Sequence, residues 1–313
     1  MSKVFKFTPL NFNWVAINPQ PKGVVYFIGG VFWGSFPNIF YRYFLKNLFE
    51  AGYTIVAIPF RFTFDHWTVS IEIAEGLFDL RKSIYDEAKF RGYTENIEIY
   101  NEAPTSKNFN YLWIGHSLGC KYIALLEILT LNQDDSYKNT KKEQLVKLKD
   151  ILTKCISQNQ SKKCISQNQS KKIIALLSYD YIQLHNISLL NQPSLFIAPV
   201  ISGIESAIPF GLASFFKKLG IDVNPTVQDT QCLITNSSMF NLFDIISFAK
   251  DIRAKETIQW FVKNLGRKLF SRKIKFILPN RNHLDPLGFS TGDEDLVKST
   301  LTSIEDFQQF LNK

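Results

Sequence analysis

Gly115-His116-Ser117-Leu118-Gly119 places a hydroxyl nucleophile between two glycines at the spacing of a nucleophile elbow. In such an elbow a strand turns so sharply into a helix that bulky neighbours would collide with backbone, and the serine is held in a strained conformation above the sheet edge. The apolar run before Gly115 and the helical pattern after Gly119 supply that context. The first amides of the following helix would then face an oxyanion developing on a substrate carbonyl. The chemistry expected is acyl transfer through Ser117.

A serine hydroxyl needs a base, and elbow enzymes run serine, acid, histidine along the chain, with the histidine after the last strand. Of the four histidines, His283 meets this order: it follows the strand-like KIKFIL at Lys273–Leu278 in the loop Pro279–Pro286. His66 and His185 fall out of order. His116 sits inside the elbow and is placed among the substrate-contacting residues, with Phe32 and Trp33. The acid should lie between Ser117 and His283, where Asp180, Asp222, Asp229 and Asp244 stand in candidate loops. Asp244, after the strand-like CLIT, is the favoured choice and Asp180 the second. The Leu118 amide and the glycine-rich loop Gly29–Gly34, through Gly30 and Val31, would form the oxyanion hole. Phe32 and Trp33 make one wall of that pocket apolar.

The elements needed to position these groups can be read from periodicity. GVVYFI (Gly23–Ile28) and YTIVAIPF (Tyr53–Phe60) are short β-branched and aromatic runs of buried-strand type. Further strands are expected over Asn110–Ile114, Pro193–Ala198, Thr230–Thr235 and Lys273–Leu278. Helices are expected over Asn38–Ala51, Val69–Ala88, Lys121–Leu131 and Leu296–Leu311. The alternation implies a mostly parallel sheet covered by helices on both faces, with ligands bound at the carboxyl ends of its strands.

The chain has 313 residues, 45% of them hydrophobic, enough for one large core with an excursion. Its 28 Phe against 2 Met are chiefly core filling. The net charge of +8 resides in one segment: between Tyr137 and Lys172 there are ten lysines against two acids, a local excess of eight. That segment repeats KCISQNQSK without change at residues 154–162 and 163–171. It reads as a basic, low-complexity surface insertion over 132–172 rather than a nucleic-acid surface. Residues 201–220 are a candidate cap or lid. No run matches a secretory signal or a membrane span, which points to a non-secreted, cytoplasmic protein. Four cysteines (Cys120, Cys155, Cys164, Cys232) in that setting are expected to be free. Nothing in the sequence asks for a cofactor, and Cys155 and Cys164, with no second ligand pair beside them, are poor zinc ligands.

The combination of FIGGVFWG, IPFRFTFDHW, GHSLG with its Lys121, ESAIP at 205–209 and LPNRNHLDP resembles the α/β-hydrolase-like family of cyanobacteria and plastids catalogued as domain of unknown function 1350. The resemblance implies an α/β-hydrolase fold in one domain over residues 1–313 with a helical cap or insertion, a cyanobacterial or plastid-related setting, and elbow and terminal-histidine roles for Ser117 and His283. It also implies an Asp-rich turn after the penultimate strand, for which NSSMFNLFD, ending in Asp244, is the nearest match. The function expected is a serine hydrolase of esterase or lipase type acting on a small apolar acyl or ester substrate. A non-catalytic binding protein and an acyltransferase are the alternatives, and a weak contact with a membrane surface is the one further partner considered. Oligomeric state is not legible.

Overall fold

The computed structural model describes residues 4–77, 79–101, 110–130, 150, 192–201, 223–236, 243–266, 269–271 and 274–311. Apart from Asp150 and Ile201, the expected insertion with its tandem repeat and the candidate cap at 201–220 lie outside the described residues, as do Asp180, Asp222 and His185.

Eight strands form one sheet: β1 (Thr8–Leu10), β2 (Asn13–Ala16), β3 (Gly23–Ile28), β4 (Tyr53–Ile58), β5 (Tyr111–His116), β6 (Ser194–Ile197), β7 (Phe243–Phe248) and β8 (Phe276–Leu278). Their spatial order is β1-β2-β4-β3-β5-β6-β7-β8. Every pairing from β4 to β8 is parallel, and only β2 runs against the rest. This is the α/β-hydrolase fold. Strands β3, β4, β5 and β7 are buried at all six of their positions, as parallel strands must be when helices cover both faces. The β1–β2 hairpin closes through Asn11 and Phe12, both with positive φ (45° and 63°), the geometry of a two-residue type I′ loop.

The described helices are α1 (Pro37–Phe40), α2 (Arg42–Glu50), α3 (His66–Gly76), α4 (Leu80–Phe90), α5 (Leu118–Thr130), α6 (Val227–Asn236), α7 (Lys255–Leu265) and α8 (Glu294–Leu311). Two spans expected as single helices are each broken. At Tyr41 the chain leaves the helical path, and the Tyr43 amide donates to the Gly288 carbonyl at 2.9 Å. Between α3 and α4, Asp79 takes a left-handed φ of 56°. The expected strand at Thr230–Thr235 is instead the body of α6. Its β-branched residues suggest a strand, but Thr226 and Asp229 form a reciprocal cap: the Asp229 amide donates to Thr226 Oγ1 (3.1 Å) and the Thr226 amide to Asp229 Oδ2 (3.2 Å). That capping box starts a helix and overrides the weak strand preference. The strand of this region is β7, at Phe243–Phe248.

Two expectations about cysteine divide. Cys120 is a buried free thiol, whereas Cys232 is disulfide-bonded, against the expectation. Among the described residues no helix is long and apolar enough to cross a membrane.

Helix α5 crosses the carboxyl end of β3 at backbone contact. A Cβ placed on Gly119 would stand 2.1 Å from the Ile28 carbonyl oxygen and 2.7 Å from that of Gly29. Because both obstacles are backbone, Gly119→Ala must push helix and sheet apart. It is expected to lower unfolding free energy by about 3 kcal/mol, read as a lower urea midpoint at unchanged m-value.

Candidate active site

The parallel sheet brings the carboxyl ends of β5, β7 and β8 to one edge, and the candidate catalytic groups come from the turns that leave these strands. Ser117 follows β5 directly and has φ 56°, a left-handed conformation costly for a non-glycine residue. Its backbone is held on both sides. The Ser117 amide donates to the Ile197 carbonyl at 3.1 Å, while the Ser117 carbonyl accepts from Val200 (3.1 Å) and Cys120 (3.2 Å). The elbow is thus clamped between β6, the loop after it and the first turn of α5.

His283 Nε2 lies 2.7 Å from Ser117 Oγ, and His283 Nδ1 lies 2.7 Å from Asp251 Oδ2. A carboxylate can only accept, so Nδ1 carries the proton and Nε2 presents a lone pair to the serine hydroxyl. The other Asp251 oxygen accepts the amides of Arg253 (2.9 Å) and Ala254 (3.2 Å) at the start of α7, where the helix dipole favours negative charge. Burial alone would raise the Asp251 carboxyl. The His283 hydrogen bond and charge, with those two amides, outweigh it and hold the carboxyl below its usual value. The loops after β7 and β8 are stitched together by Ala249 N–H to the Leu278 carbonyl (3.0 Å) and Lys250 N–H to the Arg281 carbonyl (3.1 Å).

The structure does not bring Asp244, the acid favoured from the sequence, to His283. Asp244 is the second residue of β7 and pairs with Leu195 at the amino end of the strand. It is four residues from the strand's carboxyl end, or about 13 Å along it. Its oxygens accept from Ser271 Oγ (2.6 Å) and the Ile245 amide (3.0 Å), and burial raises its carboxyl pKa. Asp229 is committed to the α6 cap. The residue that sequence reasoning missed, Asp251, sits three residues beyond β7. Its signal was the phrase FDIISFAKD, a β-branched run ending in a turn with an acid.

The glycine loop and His116 also differ from expectation. The Gly30 amide donates to the Tyr41 hydroxyl at 2.8 Å and is therefore taken, leaving Val31 and Leu118 as the candidate oxyanion amides. Gly30 acts by its missing side chain: a Cβ there would stand 3.0 Å from Ser117 Cβ and 3.4 Å from Ser117 Oγ. His116 is 1% exposed, and both ring nitrogens are occupied by protein, Nδ1 by the Tyr41 hydroxyl (2.8 Å) and Nε2 by the His283 carbonyl (2.9 Å). It is enclosed, and neither ring nitrogen is left to meet a substrate. Burial first, and then the neighbouring His283, push its pKa down to about 3. Phe32 is 49% exposed and stacks on Phe62 at 4.6 Å, whereas Trp33 packs edge-on against Phe40. Among the described residues no group of three or more His, Cys, Asp or Glu side chains is placed to hold a metal ion.

Residues 6–140 match the family described as "Protein of unknown function (DUF1350)". The match takes in the glycine loop and Ser117, and Asp251 and His283 lie beyond it. No curated protein matches the chain. Solved structures similar to it include the butyrate-bound thermophilic esterase of the planctomycete Thermogutta terrifontis, at 12% identity over 96% of this chain and 87% of that one, with TM-score 0.47. Esterase 2 of Thermogutta terrifontis phosphonylated by sarin follows, at 11% identity, 96% and 88% coverage and TM-score 0.48. Esterase B of Lactobacillus rhamnosis aligns at 10% identity over 96% and 80%, with TM-score 0.47.

The lowered Asp251 carboxyl makes a prediction about acid stability. A group whose folded pKa lies below its unfolded value stabilises the fold above the unfolded pKa and loses that contribution as pH falls through the folded pKa. The wild type should therefore be more stable than Asp251→Asn at about pH 5, and the gap should narrow toward about pH 3. Urea unfolding of both proteins across that range reads the effect; a gap that stays constant contradicts it.

Proposed function

We propose that the protein is a serine hydrolase of esterase type, forming an acyl-enzyme on Ser117 with an apolar acyl ester. The observation that carries this reading is the continuous chain Ser117 Oγ, His283 Nε2, His283 Nδ1, Asp251 Oδ2, both of whose hydrogen bonds are 2.7 Å long.

As Ser117 Oγ attacks the ester carbonyl carbon, His283 Nε2 takes the hydroxyl proton, and Asp251 stabilises the imidazolium while remaining ionised. The carbonyl oxygen gains the electron pair and is met by the Leu118 amide, at the start of α5, and by the Val31 amide. Collapse of the tetrahedral species expels the alcohol, which leaves with the proton from Nε2. Water then attacks the acyl-enzyme by the same steps in reverse, with Nε2 accepting its proton and returning it to Ser117. Ser117 and His283 are 6% and 8% exposed. This near-enclosure strengthens each of these interactions relative to open water.

An apolar acyl group is supported by the side chains around the loops that carry these amides and the base. Phe32 and Phe62 form a half-exposed stack, Trp33 packs edge-on against Phe40, and Leu284 follows His283 directly and is 44% exposed. These surfaces offer area and few hydrogen bonds, which suits a hydrocarbon chain better than a sugar or peptide. Of the two features that favour a non-catalytic binding protein, an uncertain acid and an aromatic-rich mouth, Asp251 at the His283 ring answers the first.

A fluorophosphonate probe and a series of p-nitrophenyl acyl esters test the proposal. Wild type should be labelled and Ser117→Ala should not. Asp251→Asn should lose about 10³–10⁴ in kcat by presenting the wrong histidine tautomer, while Asp244→Asn should stay within a few-fold of wild type per folded molecule. An unlabelled wild type, or equal labelling of Ser117→Ala, overturns the reading.

A further inference from the structure

Tyr41 and His116 lie outside the proton relay. Both are fully enclosed, at 0% and 1% exposure, and each polar side-chain atom they carry meets a part of the candidate active site. Every proton in this set can be assigned. The His283 carbonyl has no hydrogen to give, so His116 Nε2 donates to it across 2.9 Å. A neutral imidazole protonated at Nε2 has a bare Nδ1, which must accept the Tyr41 hydroxyl proton across 2.8 Å. The Tyr41 oxygen, its own proton engaged, accepts the Gly30 amide at 2.8 Å. The chain runs in one direction, from the loop after β3 through the break between α1 and α2 and the elbow to the backbone of the base.

The opposite state costs the Tyr41 hydroxyl its acceptor. A doubly protonated His116 would donate to Tyr41 from Nδ1, so the Tyr41 oxygen would accept twice and its hydroxyl proton would be displaced from His116. It would also put a second positive charge against His283, whose ring centroid is 5.2 Å away, at the moment His283 itself becomes an imidazolium. The charged and titratable groups facing His116 are Tyr41, His283 and, through His283, Asp251. Burial and the neighbouring His283 both disfavour the cation, and burial keeps the Tyr41 phenol protonated.

We propose that Tyr41 and His116 are positioning residues, a one-directional hydrogen-bond brace that holds the oxyanion loop at Gly30 and the base loop at His283 in a single register about Ser117. The brace rests on the hydrolase reading for its purpose but not for its proton pattern. With the Gly30 amide turned to Tyr41, Val31 is the loop amide left for substrate, and its separation from His283 Nε2 is set before substrate arrives. A misplacement of about 1 Å in such a separation can cost on the order of 10²-fold in rate.

Two measurements test the brace. In protein labelled with ¹⁵N-histidine, His116 should appear as the neutral Nε2–H tautomer from about pH 8 to about pH 4.5, where an ordinary histidine would have titrated near 6.5. A His116 signal that titrates near 6.5, or that shows the Nδ1–H tautomer, overturns the proposal. In kinetics with p-nitrophenyl acetate, Tyr41→Phe should lose about 10- to 100-fold in kcat with KM within about threefold. His116→Gln, whose amide can accept and donate at once, should recover more kcat than His116→Leu, which can do neither. Retention of kcat within about twofold in Tyr41→Phe overturns the positioning role. If wild type neither turns over esters nor takes the fluorophosphonate, the hydrolase reading fails separately. The brace is then judged by NMR alone: Tyr41→Phe must move the His283 ring resonances, and unchanged resonances overturn it.

Discussion

The strained backbone at Ser117 is the constraint around which the rest of the structure is arranged. A serine at φ 56° persists only where its surroundings over-determine it, and three backbone hydrogen bonds to Ile197, Val200 and Cys120 do so here. Those bonds require β6 to lie beside β5 in register and α5 to start at once. The second demand brings α5 against the end of β3, where only a glycine at 119 leaves room for the Ile28 and Gly29 carbonyls. The glycine loop is therefore pressed close to the nucleophile by the same packing that makes the elbow. Position 30 is also tight, since a Cβ there would meet Ser117 Cβ at 3.0 Å and the serine would have to give by a few tenths of an ångström.

Charge is distributed sparingly beneath this edge. Asp251 brings a carboxylate whose side chain is fully buried, and three donors meet it: two amides at the start of α7 and the His283 Nδ1–H. A buried charge satisfied in this way avoids most of the penalty that an unpaired one would carry. His116, close by, is kept neutral by the same low-dielectric surroundings. One negative charge and one neutral base therefore face the serine, with a second neutral histidine as a scaffold. On the proposed mechanism, the imidazolium of His283 would form next to its counter-ion without meeting another cation.

Much of this was legible in the sequence, and the misses share a cause. GVVYFI and YTIVAI read as buried strands because parallel-sheet interiors leave a continuous apolar, β-branched signature, and Ser117 and His283 followed from chain order and flanking elements. The acid did not, because TQCLIT looks like a strand when the Thr226–Asp229 cap is ignored. Placing a strand there shifts the expected acid turn to Asn236–Asp244 and hides FDIISF, whose second residue is a buried aspartate in contact with Ser271. One misread capping box thus displaced the candidate acid by seven residues, from Asp251 to Asp244. The β1–β2 hairpin escaped notice because its strands of three and four residues are too short to show a period. Tyr41 could not be found at all: its partner His116 lies 75 residues away, and no local pattern encodes a contact of that range.

What fixes His283 is also a question of which interactions are strong enough to matter. Arg281, two residues earlier, pairs with Asp293, whose side chain is 5% exposed, and with Asp295, whose side chain is 69% exposed. The Asp295 pair, open to water, contributes little and weakens further with salt, and the Asp293 pair ties down residue 281 rather than 283. The backbone bonds Ala249 to Leu278 and Lys250 to Arg281 orient the start of the loop, yet both fall short of residue 283. At His283 itself the enclosed contacts are Asp251 and Ser117 on the ring and His116 on the carbonyl. The ring contacts change character when the proton moves, whereas the carbonyl contact does not. A base that shuttles a proton without losing its place, as the proposed hydrolysis asks of His283, needs one fixed point that is indifferent to its charge, and the His116 Nε2–H bond to the backbone is of that kind.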